Sequence, residues 1–425
     1  MTLATPARNS FGTANPHALA TILEASETRR IIAATDIFDL SGVKLWARDQ
    51  PVSAALQRKL LDRKLREPLE SCLLAEDGVS AVSLVAALKV LVEGGGALAP
   101  MLRPHAAHLA REAAQIPLHP VAQLLLTAGQ AARPASFEHA VAAMALAGAL
   151  MISKGGDTPE IRAAMLCGLL HDLGEMYIDP RHSEVEADRE LDFASYQQLV
   201  VHPHVGQLLL AQLTNYPGVV ARAVAEHHER LDGSGYPHAL TGGQMSPLGR
   251  LLAVTEATLN ALRSPSDELL HASVALRAVP GEFDLRWVGE VSRATNAQAP
   301  AQAAMEAADI AARLEALGGV LRSAEAAVSA LAASATLPAL DDALTLAGFL
   351  LGRLRAGWNE SGLWNPAALS SGDAAEVEAL EDELYFRLRG IQRATLLRAG
   401  PLPAPEAAAL VALCDSLAMG SGIAP

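Results

Sequence analysis

Eight of the thirteen histidines in this chain fall between His139 and His238. One pair reads His227-His228-Glu229 and is followed by Asp232-Gly233-Ser234-Gly235-Tyr236-Pro237, while His171-Asp172 lies in an apolar run from Met165 to Leu173. Imidazole with carboxylate is the ligand set that borderline divalent transition metals choose. Adjacent side chains on a helix point about 100° apart, so His171 and Asp172 do not form a flat clamp on one ion. The carboxylate can instead bridge two ions while its neighbour serves one of them. Two ions roughly 3.5 to 4 Å apart suit phosphoryl chemistry, where they orient an attacking water and stabilise the leaving oxygen. His139, His202 before Pro203, and His227 with His228 complete the candidate set. A lone histidine at any of these places would read as a satisfied or solvated side chain; the joint occurrence with the His-Asp and His-His pairs points to metal. His204 would face away from His202 on a shared helix, and His182 and His238 sit in polar loops, so these three are read as outside the ligand set.

These side chains must be positioned by helices. From roughly Ser136 to Leu262 the chain is rich in Ala and Leu with few β-branched strand candidates, and Gly174 offers a helix stop just after His171-Asp172. Upstream, Arg29 to Trp46 alternates apolar and polar residues about a Ser41-Gly42 break, which predicts a hairpin, and Ser53 stands as an N-cap before an amphipathic helix ending near Leu65. Apolar residues recur at helical spacing from Val79 to Ala132 and again in 301–332, 340–354 and 374–397. The chain is thus divided into a disordered tail (1–25), a small hairpin-plus-helix module (26–75), a helical connector (76–133), the domain bearing the metal-type residues (134–295) and a C-terminal Ala-rich helical domain (296–425). The last carries no grouping of catalytic residue types.

Composition narrows the function further. A formal net charge of -14 over 425 residues argues against a grip on duplex nucleic acid, which asks for a basic face. A small anionic substrate stays open, because bound metal ions supply positive charge that a residue count omits. Cys72, Cys167 and Cys414 form no CxxC pair, which argues against a disulfide framework or a zinc knuckle and fits a reducing cytoplasm. The first residues lack an apolar signal-peptide core, and the longest apolar stretch, Ala140 to Ile152, is short of the roughly 18 to 20 residues that span a bilayer. The expectation is a cytoplasmic protein without a membrane partner.

The order His139, His171-Asp172-Leu173-Gly174, His202-Pro203-His204-Val205-Gly206, His227-His228-Glu229, Asp232-Gly233-Ser234-Gly235-Tyr236-Pro237 and Arg250-Leu251-Leu252-Ala253-Val254 resembles the HD-GYP family of bacterial signalling hydrolases. The resemblance covers under a third of the chain, and its HHExxDGSGYP run is highly specific. It implies a mostly α fold: an HD-type helical bundle, here with a small N-terminal α+β module and a C-terminal helical region. It also implies a metal-dependent phosphodiesterase that hydrolyses cyclic di-GMP or a related cyclic dinucleotide, using two divalent transition metal ions (Fe, Mn or Zn).

Carried over by position, His139, His171 and Asp172 serve one ion, and Asp172, as the bridge, joins His202, His227 and His228 on the other. His171 and Asp172 form the catalytic core. Glu256 stands where the family has its last metal aspartate, and Ala135 stands where trinuclear members carry a glutamate, which implies two ions. Gly233, Gly235 and Tyr236 shape the substrate pocket. Glu175 occupies the place of a phosphate-binding lysine and inverts its charge. The basic segment usual after the last ligand is replaced by Arg263-Ser264-Pro265-Ser266-Asp267-Glu268, leaving a thin basic lining. A second reading stands beside the first: a catalytically degenerate HD-GYP signalling module that keeps the metal site and works through protein partners on its helical flanks. The C-terminal helices would then offer grooves to such partners, or pack on the catalytic domain or a second copy as a homodimer.

Overall fold

A computed structural model of the chain describes residues 10–182, 193–263, 269–296, 307–360, 374–400 and 402–419. The protein is mostly α. Its N-terminal part runs α1 (Pro16–Ala25), β1 (Ile31–Ala33), β2 (Ile37–Phe38), β3 (Lys44–Trp46), α2 (Ala54–Leu60), α3 (Leu69–Cys72) and β4 (Leu73–Ala75). Helices α4 (Ala81–Glu93), α5 (Ala99–Leu102), α6 (Ala106–Ala113) and α7 (Pro120–Ala132) follow. The histidine-bearing part holds α8 (Pro134–Ser153), α9 (Thr158–Leu170), α10 (Phe193–Leu199), α11 (His202–Leu213), α12 (Gly218–Glu226), α13 (Pro247–Ala261), α14 (Leu269–Arg277) and α15 (Leu285–Asn296). Four long helices close the chain: α16 (Ala307–Ala332), α17 (Pro338–Glu360), α18 (Ala374–Ala399) and α19 (Ala404–Met419).

The expected hairpin is β2 with β3, antiparallel, with Gly42 at φ +86° in its turn. Strand β1 pairs instead with β4, a partner some forty residues away that the local alternation of the sequence does not reveal. The disordered tail expected over 1–25 is corrected at its C-terminal end. Pro16–Ala25 is a helix, opened by Asn15, whose Oδ1 accepts from the amides of His17 and Ala18 at 2.9 and 3.0 Å. Asn before Pro at the first helical position is the local signal that starts this helix. Residues 1–9 lie outside the described residues, as do 264–268 of the altered basic segment and 301–306 of the predicted 301–332 helix.

The N-terminal module, the connector and the histidine-bearing helices share one apolar core running from Phe11 to Val291. Helix α8 lies at its centre: although long and apolar enough to cross a membrane by composition, 72% of its most apolar stretch is buried in the protein. It packs tightly on α9 because Gly168 has no side chain, and a Cβ there would sit 2.5 Å from the Ala143 carbonyl oxygen. Helix α9 starts at a capping box in which Asp157 and Glu160 exchange side-chain and backbone hydrogen bonds at 2.9 Å each.

A second core, built by α16 to α19 with Val274 and Val279, belongs to the C-terminal helices. This bundle docks on the first part through close, specific contacts. Gly357 of α17 lies against the Ala278 carbonyl, where a Cβ would overlap. Arg387 of α18 donates to Glu282, to Glu383 and, at 3.1 Å, to the Ala275 carbonyl.

Candidate metal centre and cavity

The end of α9 brings the first candidate pair into place. His171 is the C-cap residue of α9, and the chain turns through a 3-10 segment, Leu173–Tyr177. Gly174 lies inside that turn and does not close α9; its place in the fold is close approach, since a Cβ would overlap the His202 carbonyl oxygen at the start of α11. This contact holds α11, and with it His202, against His171 and Asp172. His227, the C-cap residue of α12, and His228 arrive from the next helix; Glu256 comes from α13, and His139 from α8.

These seven residues form two groups around one carboxylate. His139, His171, Asp172 and Glu256 make one group; Asp172, His202, His227 and His228 make the other, each with ligand atoms within 4.8 Å of one another. The two oxygens of Asp172 divide between them. Oδ2 lies 3.4 Å from His139 Nε2 and 3.1 Å from His171 Nε2, whereas Oδ1 lies 3.3 Å from Nε2 of both His202 and His227. Glu256 joins the first group, its Oε2 3.0 Å from His139 Nε2 and 3.1 Å from His171 Nε2, so the longer side chain reaches.

The donor chemistry fits divalent transition ions. His171, His202 and His227 each direct Nδ1 at the carbonyl three residues earlier, at 2.7, 2.8 and 2.6 Å. An Nδ1–H donated there leaves Nε2 as a lone pair, the tautomer a metal requires. Nε2 of His202 and His227 stand 3.0 Å apart; two lone pairs so close call for a cation between them. Buried Asp172 Oδ1 and Glu256 Oε1 have no hydrogen-bond partner, a costly state for carboxylate oxygens that a metal relieves. His139 differs: its Nδ1 faces Arg263 Nη2 at 3.2 Å.

Electrostatics split the groups in the same way. Burial opposes charge on His171, yet the Asp172 and Glu256 carboxylates carry its pKa well above the ordinary histidine value, and His139 is raised against its burial by Glu256. Burial likewise disfavours charge on Asp172 and Glu256, but the facing imidazoles hold both well below the usual carboxylate range. On the other side burial dominates: it pushes His227 down to about 4 and His228 well below its usual value.

The loop after His228 is built on backbone. Gly233 takes φ +84°, and a Cβ on Gly235 would overlap the Arg230 amide, so these two glycines are demanded by conformation and by close approach respectively. The Asp232 Oδ1 accepts from the Ser234 amide and hydroxyl at 3.0 and 2.6 Å. Glu229, fully buried, accepts the amides of His238 and Leu240 at 2.6 and 2.8 Å and so anchors the far end of the loop. Tyr236 is thereby laid flat on His228, ring centroids 4.5 Å apart and planes 15° apart. Glu229 was quoted as part of a motif, but sequence reasoning gave it no task; a carboxylate beside a glycine-rich loop that must be fixed is the signal that was available.

Next to His228 and Tyr236 opens a cavity of about 540 Å³. Among the described residues, five arginines line it against two carboxylates, and three of the five, Arg353, Arg387 and Arg393, come from α17 and α18. Two expectations change here. The basic lining is not thin, because the C-terminal helices furnish it, and those helices are not without polar groups of interest. Glu175, expected beside a phosphate, is 3% exposed, sits in the turn after Asp172 with Arg133 donating to its carbonyl at 3.2 Å, and is not among the residues lining the cavity. Its charge inversion therefore does not face this space. His204 is exposed and edges against His238, away from both groups, and His182 also stands outside them. The three cysteines are buried and free.

A helical domain that gathers histidines and acids into two groups about one shared aspartate, at the end of a His-Asp helix, is an HD-type domain. An HD domain model matches residues 98–279, beginning within the stretch read from sequence as a connector. The cyclic di-GMP phosphodiesterase PA4108 of Pseudomonas aeruginosa is 33% identical over 187 residues, 42% of this chain and 44% of that protein. The cyclic di-GMP phosphodiesterase response regulator RpfG of Xanthomonas campestris is 31% identical over 112 residues, 26% and 29% of the two chains. The 3′3′-cGAMP-specific phosphodiesterase 1 of Vibrio cholerae is 27% identical over 136 residues, 32% and 31%. The chain thus spans less than half the length of these curated relatives. Among solved structures, Bd1817, an HDGYP protein from Bdellovibrio bacteriovorus, aligns with a TM-score of 0.36 at 17% identity over 50% of this chain and 69% of that one. Residues 98–279 thus carry an HD domain.

Proposed function

We infer that this protein is a metal-dependent phosphodiesterase acting on cyclic di-GMP or a related cyclic dinucleotide. The observation that supports this reading most is the division of Asp172, one oxygen toward each group of imidazoles, which suits a pair of ions sharing a carboxylate. When bound, divalent transition ions such as Fe, Mn or Zn supply Lewis acidity and charge neutralisation for attack at phosphorus. The chain's own part is to hold that chemistry in place. His139, His171 and Glu256 would hold an ion on one side of Asp172, and His202, His227 and His228 on the other; His228 also lines the cavity, together with Ser234, Gly235 and Tyr236 of the loop. The relatives that match over this region are named as phosphodiesterases of cyclic di-GMP and of 3′3′-cGAMP, and both substrates share the cyclic dinucleotide frame.

The test is direct. Protein purified with and without air is analysed for metal, then offered cyclic di-GMP and 3′3′-cGAMP with separation of linear and mononucleotide products. About two transition ions per chain and opening of at least one ring are expected. Metal present but neither ring opened would leave the domain as a degenerate signalling module; absence of metal under both conditions would remove the metal reading itself.

A further inference from the structure

We propose that α17 and α18 form the second wall of the ligand site, and that Arg353, with Arg393 beside it, holds the phosphate of a cyclic dinucleotide that lies away from the histidine centre. This rests on the phosphodiesterase reading above and assigns the C-terminal helices a part in substrate recognition. A cyclic dinucleotide carries two phosphodiesters and two purines. The histidine centre can engage one phosphodiester, so the other needs cations and the bases need flat surfaces elsewhere. The cavity provides both, in a volume typical of small-molecule sites.

The arginines are not equivalent. Arg387 is engaged by Glu282 and Glu383, and Arg230 lies 3.4 Å from Glu282 and over the Phe283 ring, so these two brace the junction between the HD domain and the C-terminal bundle. Arg263 reaches His139. Arg353 stands apart: its Nε is buried with no hydrogen-bond partner, and its nearest acid, Asp232 Oδ2, is 3.7 Å away while the other oxygen of Asp232 is taken by Ser234. A buried guanidinium N–H without an acceptor is costly, and a phosphate oxygen is the acceptor its fork geometry suits. The Arg393 guanidinium lies 5.6 Å over the ring of Tyr196, and Tyr196 meets Tyr236 edge to face with centroids 6.0 Å apart. Aromatic faces with an arginine across them are the platform on which bases stack without sequence readout. These groups span both parts of the chain, so the site is complete only with the bundle docked.

The full chain, loaded with Mn, is titrated with the bis-phosphorothioate analogue of cyclic di-GMP, which resists hydrolysis, and separately with GMP, which carries one phosphate. Arg353→Gln should weaken the dinucleotide analogue by about 10- to 100-fold, the range of one charge-assisted contact, with GMP affinity changed less than about threefold; Arg353→Lys should recover part of the loss. Metal content and thermal midpoint measured on each variant separate a lost contact from a lost fold. Should Arg353→Gln fail to fold, Arg393→Gln is read by the same pair of titrations. Wild-type protein that binds metal but not the analogue would overturn the phosphodiesterase reading and this one with it. Wild-type binding with unchanged affinity in both arginine variants would overturn only the second wall, and equal weakening of GMP would overturn the assignment to the distal phosphate.

Discussion

Among the described residues, the protein sets His139, His171 and a second carboxylate, Glu256, around Oδ2 of Asp172, and the imidazoles of His202, His227 and His228 around Oδ1. The first half balances charge within itself, and its imidazoles are drawn up in pKa by the acids they face. Among the described residues the second half has no acid of its own beyond the shared oxygen, and burial holds His227 and His228 below the usual histidine value. A set of nitrogen donors and a set in which acids pair with imidazoles would present different charge to a cation, since metal ligands bind in their deprotonated form. The difference teaches that one aspartate makes two unlike sites: what each side adds to it sets the charge an ion would meet.

Substitutions can break this comparison, beginning with the shared residue. Asp172→Ala should cost both ions together, because it removes the oxygen facing each half and with it the anion the two halves share. Elemental analysis that finds one ion retained in full would mean the halves are independent. Next in size come the selective losses. His202→Ala should empty the all-imidazole half and Glu256→Ala the acidic half, each leaving roughly one ion per chain. Equal metal loss in the two variants would erase the distinction drawn here. Glu256→Asp should weaken the acidic half, since Oε2 already lies at 3.0 and 3.1 Å from two imidazoles and a shorter side chain withdraws it; undiminished metal content would show that the helix can adjust.

A smaller effect is expected at the loop. Glu229→Gln keeps the shape but replaces one of two buried acceptor oxygens with a donor facing an amide, and should cost about 1 to 3 kcal/mol in a denaturation experiment. The metal content of this variant should follow the wild type, because Glu229 holds the loop and not an ion. The smallest effect belongs to His204→Ala, whose exposed ring contacts His238 outside both groups. Metal content and stability should stay within about 0.5 kcal/mol of the wild type, as for a surface substitution. A loss matching that of His202→Ala would mean that α11 turns the other way in solution.

Much of the centre was legible in the residues themselves. Histidines and acids are chemically restricted and their spacing survives any packing, so six of the seven candidates and the idle His204 could be read from a string, while Glu256 and the glycines at 233 and 235 came with the family resemblance. The helical character of 136–262 was legible for a similar reason, since apolar periodicity is local. Less visible was anything that depends on two distant stretches meeting. Strand β1 finds β4 across a hairpin and two helices, and Gly174 serves an encounter with His202 where the string suggests only a stop.

What the sequence by itself determined is the chemistry on offer: imidazole and carboxylate in helical context, a glycine-rich loop, and an overall acidic chain with its cations scattered. Tertiary structure decided how that chemistry is shared. It gave Oδ1 and Oδ2 of Asp172 different neighbours, placed Glu256 with His139 and His171, and turned Glu175 inward off the cavity. It also brought Arg353 and Arg393 from far downstream to line one cavity with Tyr236. The reason is physical: ligand type is a property of one side chain, whereas a site's charge and shape are set by which surfaces are buried against each other, and that is settled only when both apolar cores close.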